Sequence, residues 1–163
     1  MASNLVPSSP LPELRATFFL PARLLPAGEA RVHGVVLDVP LDAGVDTLAA
    51  YADGTARYIN HTGRTIIWEV PEAAGEIGTL VGGLLRVTEG VLPYVEPAGW
   101  APPPEEVGRA QVTVLTRAGL ATLPLINNQV SQDLFGAGAA LMNALLERAL
   151  GGEAPAGPAA PPA

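Results

Sequence analysis

Asn60-His61-Thr62-Gly63-Arg64 brings a carboxamide, an imidazole and a guanidinium into one short segment. An imidazole can take up a proton near neutral pH, and an arginine beside it can hold an anion. Such a base needs a carbonyl or carboxylate to orient its ring. The turn itself offers none, because Asp53 lies at the opposite tip of the neighbouring hairpin and Glu69 at the far end of the next strand. Asn60 and Thr62 are side chains that bond to turn backbone, and Gly63 supplies turn conformation, so most of the motif has a structural purpose. His61 is the one weak catalytic candidate.

The other histidine, His33, stands between valine and glycine in an apolar run. Two histidines and Asp38 lack the spacing of a metal-ligand set, so no metal is predicted, and His33 is expected in a core or interface, bonded to a carbonyl. The chain has no cysteine and no lysine. That removes thiolate nucleophiles, disulfides, Schiff-base chemistry and the lysine of a phosphate-binding loop, and no Gly-x-Ser-x-Gly elbow is present. No cofactor is predicted. Residues 126–133, INNQVSQD, carry Asn127 and Asn128 between an apolar run and a helical pattern. Amides there either cap the helix or select a small polar ligand, and capping is the preferred reading.

All nine basic residues are arginine, against sixteen acidic ones, for a net charge of -7. Arginines scattered from 15 to 148 do not make a basic face, so nucleic acid is not an expected partner. Hydrophobic residues make up 48% and charged ones 15%, which suits an ordered core. No stretch has the length and uniform apolarity of a membrane span, and the start lacks the basic region of a signal peptide. A soluble, cytoplasmic protein is expected.

The elements that must position these residues are punctuated by glycine and proline. Residues 1–29 form a proline-interrupted leader and an apolar arm, ATFFLPARLL, in which Pro21 and Pro26 favour an extended path. Phe18, Phe19 and Leu20 must find cover, on this domain or on a second subunit. RVHGVVLDV, 31–39, is a strand ending before Pro40. Asp53-Gly54 predicts a two-residue type I′ turn, which places Tyr51 opposite Ala56 and Leu48 opposite Ile59. His61-Thr62-Gly63 predicts a three-residue loop that sets Tyr58 opposite Ile66 and Ala56 opposite Trp68. Alternation then groups Tyr51, Tyr58, Ile66 and Trp68 on one face and Leu48, Ile59 and Ile67 on the other.

Pro71 and Glu72 predict the start of a helix that ends near Gly90, with Gly78 and Gly82 permitting close packing. Residues 91–108 read as a proline-rich crossover. QVTVLT and LATLPLI form a hairpin through a three-residue loop, Arg117-Ala118-Gly119, and pair either with the first meander or with strand 31–39. A last helix is capped by Ser131 and striped by Leu134, Gly138, Leu141, Leu145 and Ala149.

The expected fold is α+β: a mostly antiparallel sheet of five or six strands with two packed helices, spanning 30–150 as one domain, with 151–163 a disordered Ala/Pro/Gly tail. Large apolar groups on both sheet faces and sparse catalytic equipment predict a noncatalytic interaction or assembly module that binds itself or another protein. Its interaction surface is expected at Tyr51, Tyr58, Asn60, Arg64, Trp68, Asn127 and Asn128. The alternative is a small-ligand sensor or enzyme with a pocket between the aromatic sheet face and loop 127–133.

Overall fold

A computed structural model of the chain describes residues 11–19, 31–69, 75–103, 108–124 and 129–153, with the side chains of all these except 11, 12 and 150–153. Helix α1 (Leu11–Thr17) precedes strands β1 (Val32–Leu41), β2 (Gly44–Tyr51), β3 (Ala56–Ile59) and β4 (Thr65–Trp68). Helix α2 (Glu76–Val91) leads through a 3-10 turn (Leu92–Tyr94) to β5 (Glu96–Gly99), β6 (Gln111–Thr116) and β7 (Gly119–Leu123), and helix α3 (Gln129–Glu153) follows. The strands form one antiparallel sheet in the order β4-β3-β2-β1-β6-β7-β5. The fold is α+β, with seven strands where the sequence pattern predicts five or six. Among the described residues no helix is long and apolar enough to cross a membrane.

Strand β1 shows why it is central: residues 32–38 are buried without alternation, as expected of a strand covered on both faces. It continues through Pro40 to Leu41 instead of stopping at Val39, and pairs Leu41 with Gly44. Hairpin β6–β7 joins β1 through register pairs such as Val35↔Val114, which settles the choice between the meander and strand 31–39. Its loop holds two residues, not three, because Thr116 pairs directly with Gly119 and Thr116 Oγ1 donates to the Gly119 carbonyl at 2.7 Å.

The expected register of β2 and β3 is off by one residue. Leu48 pairs with Tyr58 and Ala50 with Ala56. The cause is the loop: the Tyr51 N–H donates to the Thr55 carbonyl and the Gly54 N–H to the Tyr51 carbonyl, closing a three-residue loop in which only Gly54 has positive φ. Asp53 Oδ1 accepts from the Thr55 N–H and hydroxyl, which stabilises that loop over a type I′ turn with two left-handed residues. A one-residue slip reverses the faces. Tyr51 therefore leaves the company of Tyr58, Ile66 and Trp68, and Leu48 joins it. The β3–β4 register is the expected one, with Tyr58↔Ile66 and Ala56↔Trp68.

One sheet face carries α2 and α3, whose Ile77, Val81, Leu84, Leu134, Leu141 and Leu145 pack on Val35, Leu37, Leu48 and Val114. The far face is covered by α1 and the turn after it. Phe18 and Phe19 are buried against Val36, Ala49, Tyr51, Ile59, Leu115 and Leu120. The arm is thus intramolecular cover over residues 11–19, and helical where an extended path is expected; Pro12 sits in its first turn, where a missing N–H costs nothing. Leu20 lies outside the described residues, as do Pro71, Glu72, Asn127, Asn128 and the tail beyond 153. The region 151–153 is helical.

Of the helix glycines, Gly138 of α3 makes the close approach and Gly82 of α2 does not. A Cβ at Gly138 would run into Leu37 Cδ1, whereas one at Gly82 or Gly83 would meet nothing within 4 Å.

Candidate functional site

Strand β2 presents Asp46 on the helix-bearing face, where it meets the β3–β4 loop. Asp46 Oδ2 accepts from the Tyr58 hydroxyl at 2.6 Å, and Oδ1 accepts from the His61 backbone N–H at 2.7 Å. His61 Nδ1 lies 3.1 Å from the same Oδ1, which favours the tautomer with the proton on Nδ1. The carboxylate missing from the turn is thus supplied across the sheet by a residue fifteen positions earlier. A single acid at an inward position between the valine and leucine of GVDTL was its signal in the sequence.

Asp46 is 6% exposed. Burial first, then the hydrogen bond and charge of Asp46, push the Tyr58 hydroxyl above its ordinary range, so it remains a donor to the carboxylate. The imidazole is partly open, at 30% side-chain exposure. Its seat requires Gly44, since a Cβ there would come within 2.8 Å of His61 Cβ. With Nδ1 tied to Asp46, the outward nitrogen is the one available to accept a proton.

Asn60 has a structural role. Its Oδ1 accepts from the Thr62 N–H, the Thr62 hydroxyl and the Arg64 N–H, and the Asn60 N–H donates to the Arg64 carbonyl. Beside this loop lies an open cleft of about 340 Å³, lined by Tyr58, Asn60, Arg64, Thr65 and Ile66, with Leu146 and Ala149 of α3 as its opposite wall. Arg64 is exposed, and among the described residues its side chain makes no hydrogen bond or ion pair. Trp68 stands further along β4 with the Arg148 guanidinium 5.4 Å from its ring centroid. Of the expected surface, then, Tyr58, Asn60, Arg64 and Trp68 share one side of the meander. Tyr51 faces away and donates its hydroxyl to the Phe18 carbonyl at 2.7 Å. The cleft lies against the C-terminal part of α3, and at the other end of that helix Gln129 Nε2 donates to Asp133 Oδ1.

The second polar assembly is internal. Asp38, fully buried, accepts from Arg15 Nε at 2.9 Å, Arg15 Nη2 at 2.6 Å and the Thr47 hydroxyl at 2.7 Å. Arg15 Nη1 donates to the Pro103 carbonyl at 2.6 Å, and the guanidinium lies 5.0 Å from the Phe19 ring centroid. Asp38 is committed to this pair and does not meet His33 or His61. Among the described residues no three metal-ligating side chains come together. His33 is 4% exposed, and among the described residues neither ring nitrogen has a hydrogen-bond partner, where a carbonyl bond is expected. A smaller hollow of about 240 Å³ near β5 is lined by Glu96, Arg109, Gln111 and Thr122, which the sequence pattern does not single out.

The sequence matches no family model and no curated protein, so the chemistry of this site rests on its own geometry.

Proposed function

We propose that the chain is a noncatalytic interaction and assembly module of the cytoplasm that forms a homo-oligomer. The observation that carries this reading is the open end of the sheet at β4. Ile67 is 55% exposed there, on a strand that among the described residues has a partner on one side only. Edge strands with free backbone groups and an exposed apolar residue are templates for pairing with another chain. The polar clusters support the same reading: Asp38 and Asp46 are engaged in holding segments together, which leaves little equipment for chemistry. Sedimentation or light scattering across a hundredfold concentration range should give a mass of at least two chains; a single-chain mass at the highest concentration overturns the proposal.

One observation favours a second reading, a small-ligand site at the cleft. Asp46 orients His61 beside a loop whose Arg64 is able to hold an anion while Leu146 and Ala149 contact an apolar group. A thermal-shift screen of small amphipathic carboxylates and phosphates tests it. Stabilisation abolished by Arg64→Ala supports the site, and a flat screen removes it.

A further inference from the structure

We propose that β4 pairs with the β4 of a second copy of this chain, antiparallel, about a two-fold axis centred on Ile67. The proposal rests on the assembly reading above and names its surface, partner and register.

Hydrogen-bond parity defines which groups the edge offers. The Asn60 N–H donates to the Arg64 carbonyl, so 60↔64 is a hydrogen-bonded pair of the β3–β4 ladder. Such pairs alternate in an antiparallel ladder, which makes Tyr58↔Ile66 and Ala56↔Trp68 hydrogen-bonded as well. Thr65 and Ile67 therefore turn their N–H and C=O groups away from β3, toward the open side.

A two-fold axis normal to the sheet keeps both helix layers on the same side and requires residues of equal parity to face each other. Centring it on Ile67 sets this residue against the partner's Ile67, and Thr65 against Glu69 of the partner subunit. Ile66 then meets Trp68 of the partner subunit on the helix-bearing face. Every pair is compatible: apolar with apolar, and hydroxyl with carboxylate. Moving the axis to Ile66 would set Thr65 against the partner's Ile67 and leave Glu69 facing the loop glycine, a poorer match.

The opposite edge explains why the contact closes as a dimer. Strand β5 contains Pro97, which has no N–H to give, and its pairing with β7 slips between Pro97 and Gly99. Proline, irregular register and the charge of Glu96 are features that block strand addition. Strand β4 has none of them. An edge able to pair joined to one that is not gives two sheets and then stops, with no fibre.

Cysteine scanning provides a direct test, because the native chain has no cysteine. Opposed residues of a hydrogen-bonded antiparallel pair have Cα atoms about 5.5 Å apart, within disulfide range. Ile67→Cys should form a covalent dimer on mild oxidation, and Thr79→Cys, on the exposed side of α2, should not. Ile67→Lys, at an already exposed position, should keep the circular dichroism spectrum and run as a monomer where the native chain is a dimer. A native dimer that persists in Ile67→Lys, or an Ile67→Cys variant that stays dimeric without cross-linking, overturns this interface and leaves assembly by another surface. A native chain that is monomeric throughout overturns both.

Discussion

The two faces of the sheet are closed by different means. Two long helices cover one face, mainly with aliphatic side chains. Among the described residues the other face is covered by the seven-residue α1 and the turn after it, which contribute Leu14, Phe18 and Phe19 and are pinned by the Arg15–Asp38 pair. Large apolar area is enough to place a long helix, since shifting it exposes many side chains at once. A short segment has too little area to choose one position among several. A buried ion pair with both carboxylate oxygens hydrogen-bonded is demanding in geometry, and here it selects the position. The contrast teaches that apolar area and directional bonds divide the task by the length of what is being docked.

The strongest way to break the comparison is Arg15→Ala. It leaves a fully buried carboxylate with only Thr47 as partner and should cost about 3 to 5 kcal/mol in urea unfolding. Replacing both ends, Arg15→Met with Asp38→Leu, should cost less than the single change. No loss in either variant would mean that the arm is held by its phenylalanines alone. On the helix-bearing face, Gly138→Ala forces a methyl into Leu37 and should cost about 1 to 3 kcal/mol, measured by thermal unfolding. No loss would show that α3 can shift outward freely.

Each face also carries a tyrosine whose pKa lies above its ordinary value: Tyr51 chiefly through burial, and Tyr58 through burial followed by Asp46. A folded-state pKa above the unfolded one contributes stability that is complete below about pH 10 and is lost as the pH rises from there. Tyrosinate absorbance should therefore appear together with unfolding in alkaline titration. Tyr51→Phe should make that alkaline loss shallower, while at neutral pH it removes the bond to Phe18 at a cost of about 1 kcal/mol. Separate ionisation of both buried tyrosines in the folded protein would contradict this. The smallest effect is a gain: Gly82→Ala should stabilise α2 by up to about 1 kcal/mol, since a methyl meets nothing there.

The parts of this architecture legible in the sequence are those governed by neighbours along the chain. His61-Thr62-Gly63 contains its own turn chemistry, so the β3–β4 register follows from it. Ala52-Asp53-Gly54 is built to the same plan, but Asp-Gly also suits a two-residue turn, and local pattern does not separate the two. That single ambiguity exchanges the faces of Tyr51 and Leu48. Strand β5, EPAG, has no strand propensity and owes its conformation to β7. Arg15 and Asp38 meet only in the folded chain, and neither has a local feature that announces the other. The same is true of Asp46 and His61, which is why the candidate site has its loop half readable and its carboxylate half hidden.

Arg15 also reaches Pro103, eighty-eight residues further on. During synthesis residues 11–19 therefore have no complete berth until the polypeptide past residue 103 has been made. Val36, Ala49, Tyr51 and Asp38 are made early enough to receive this segment in part, but Leu115 and Leu120 come later still, so it is made early and fully seated late.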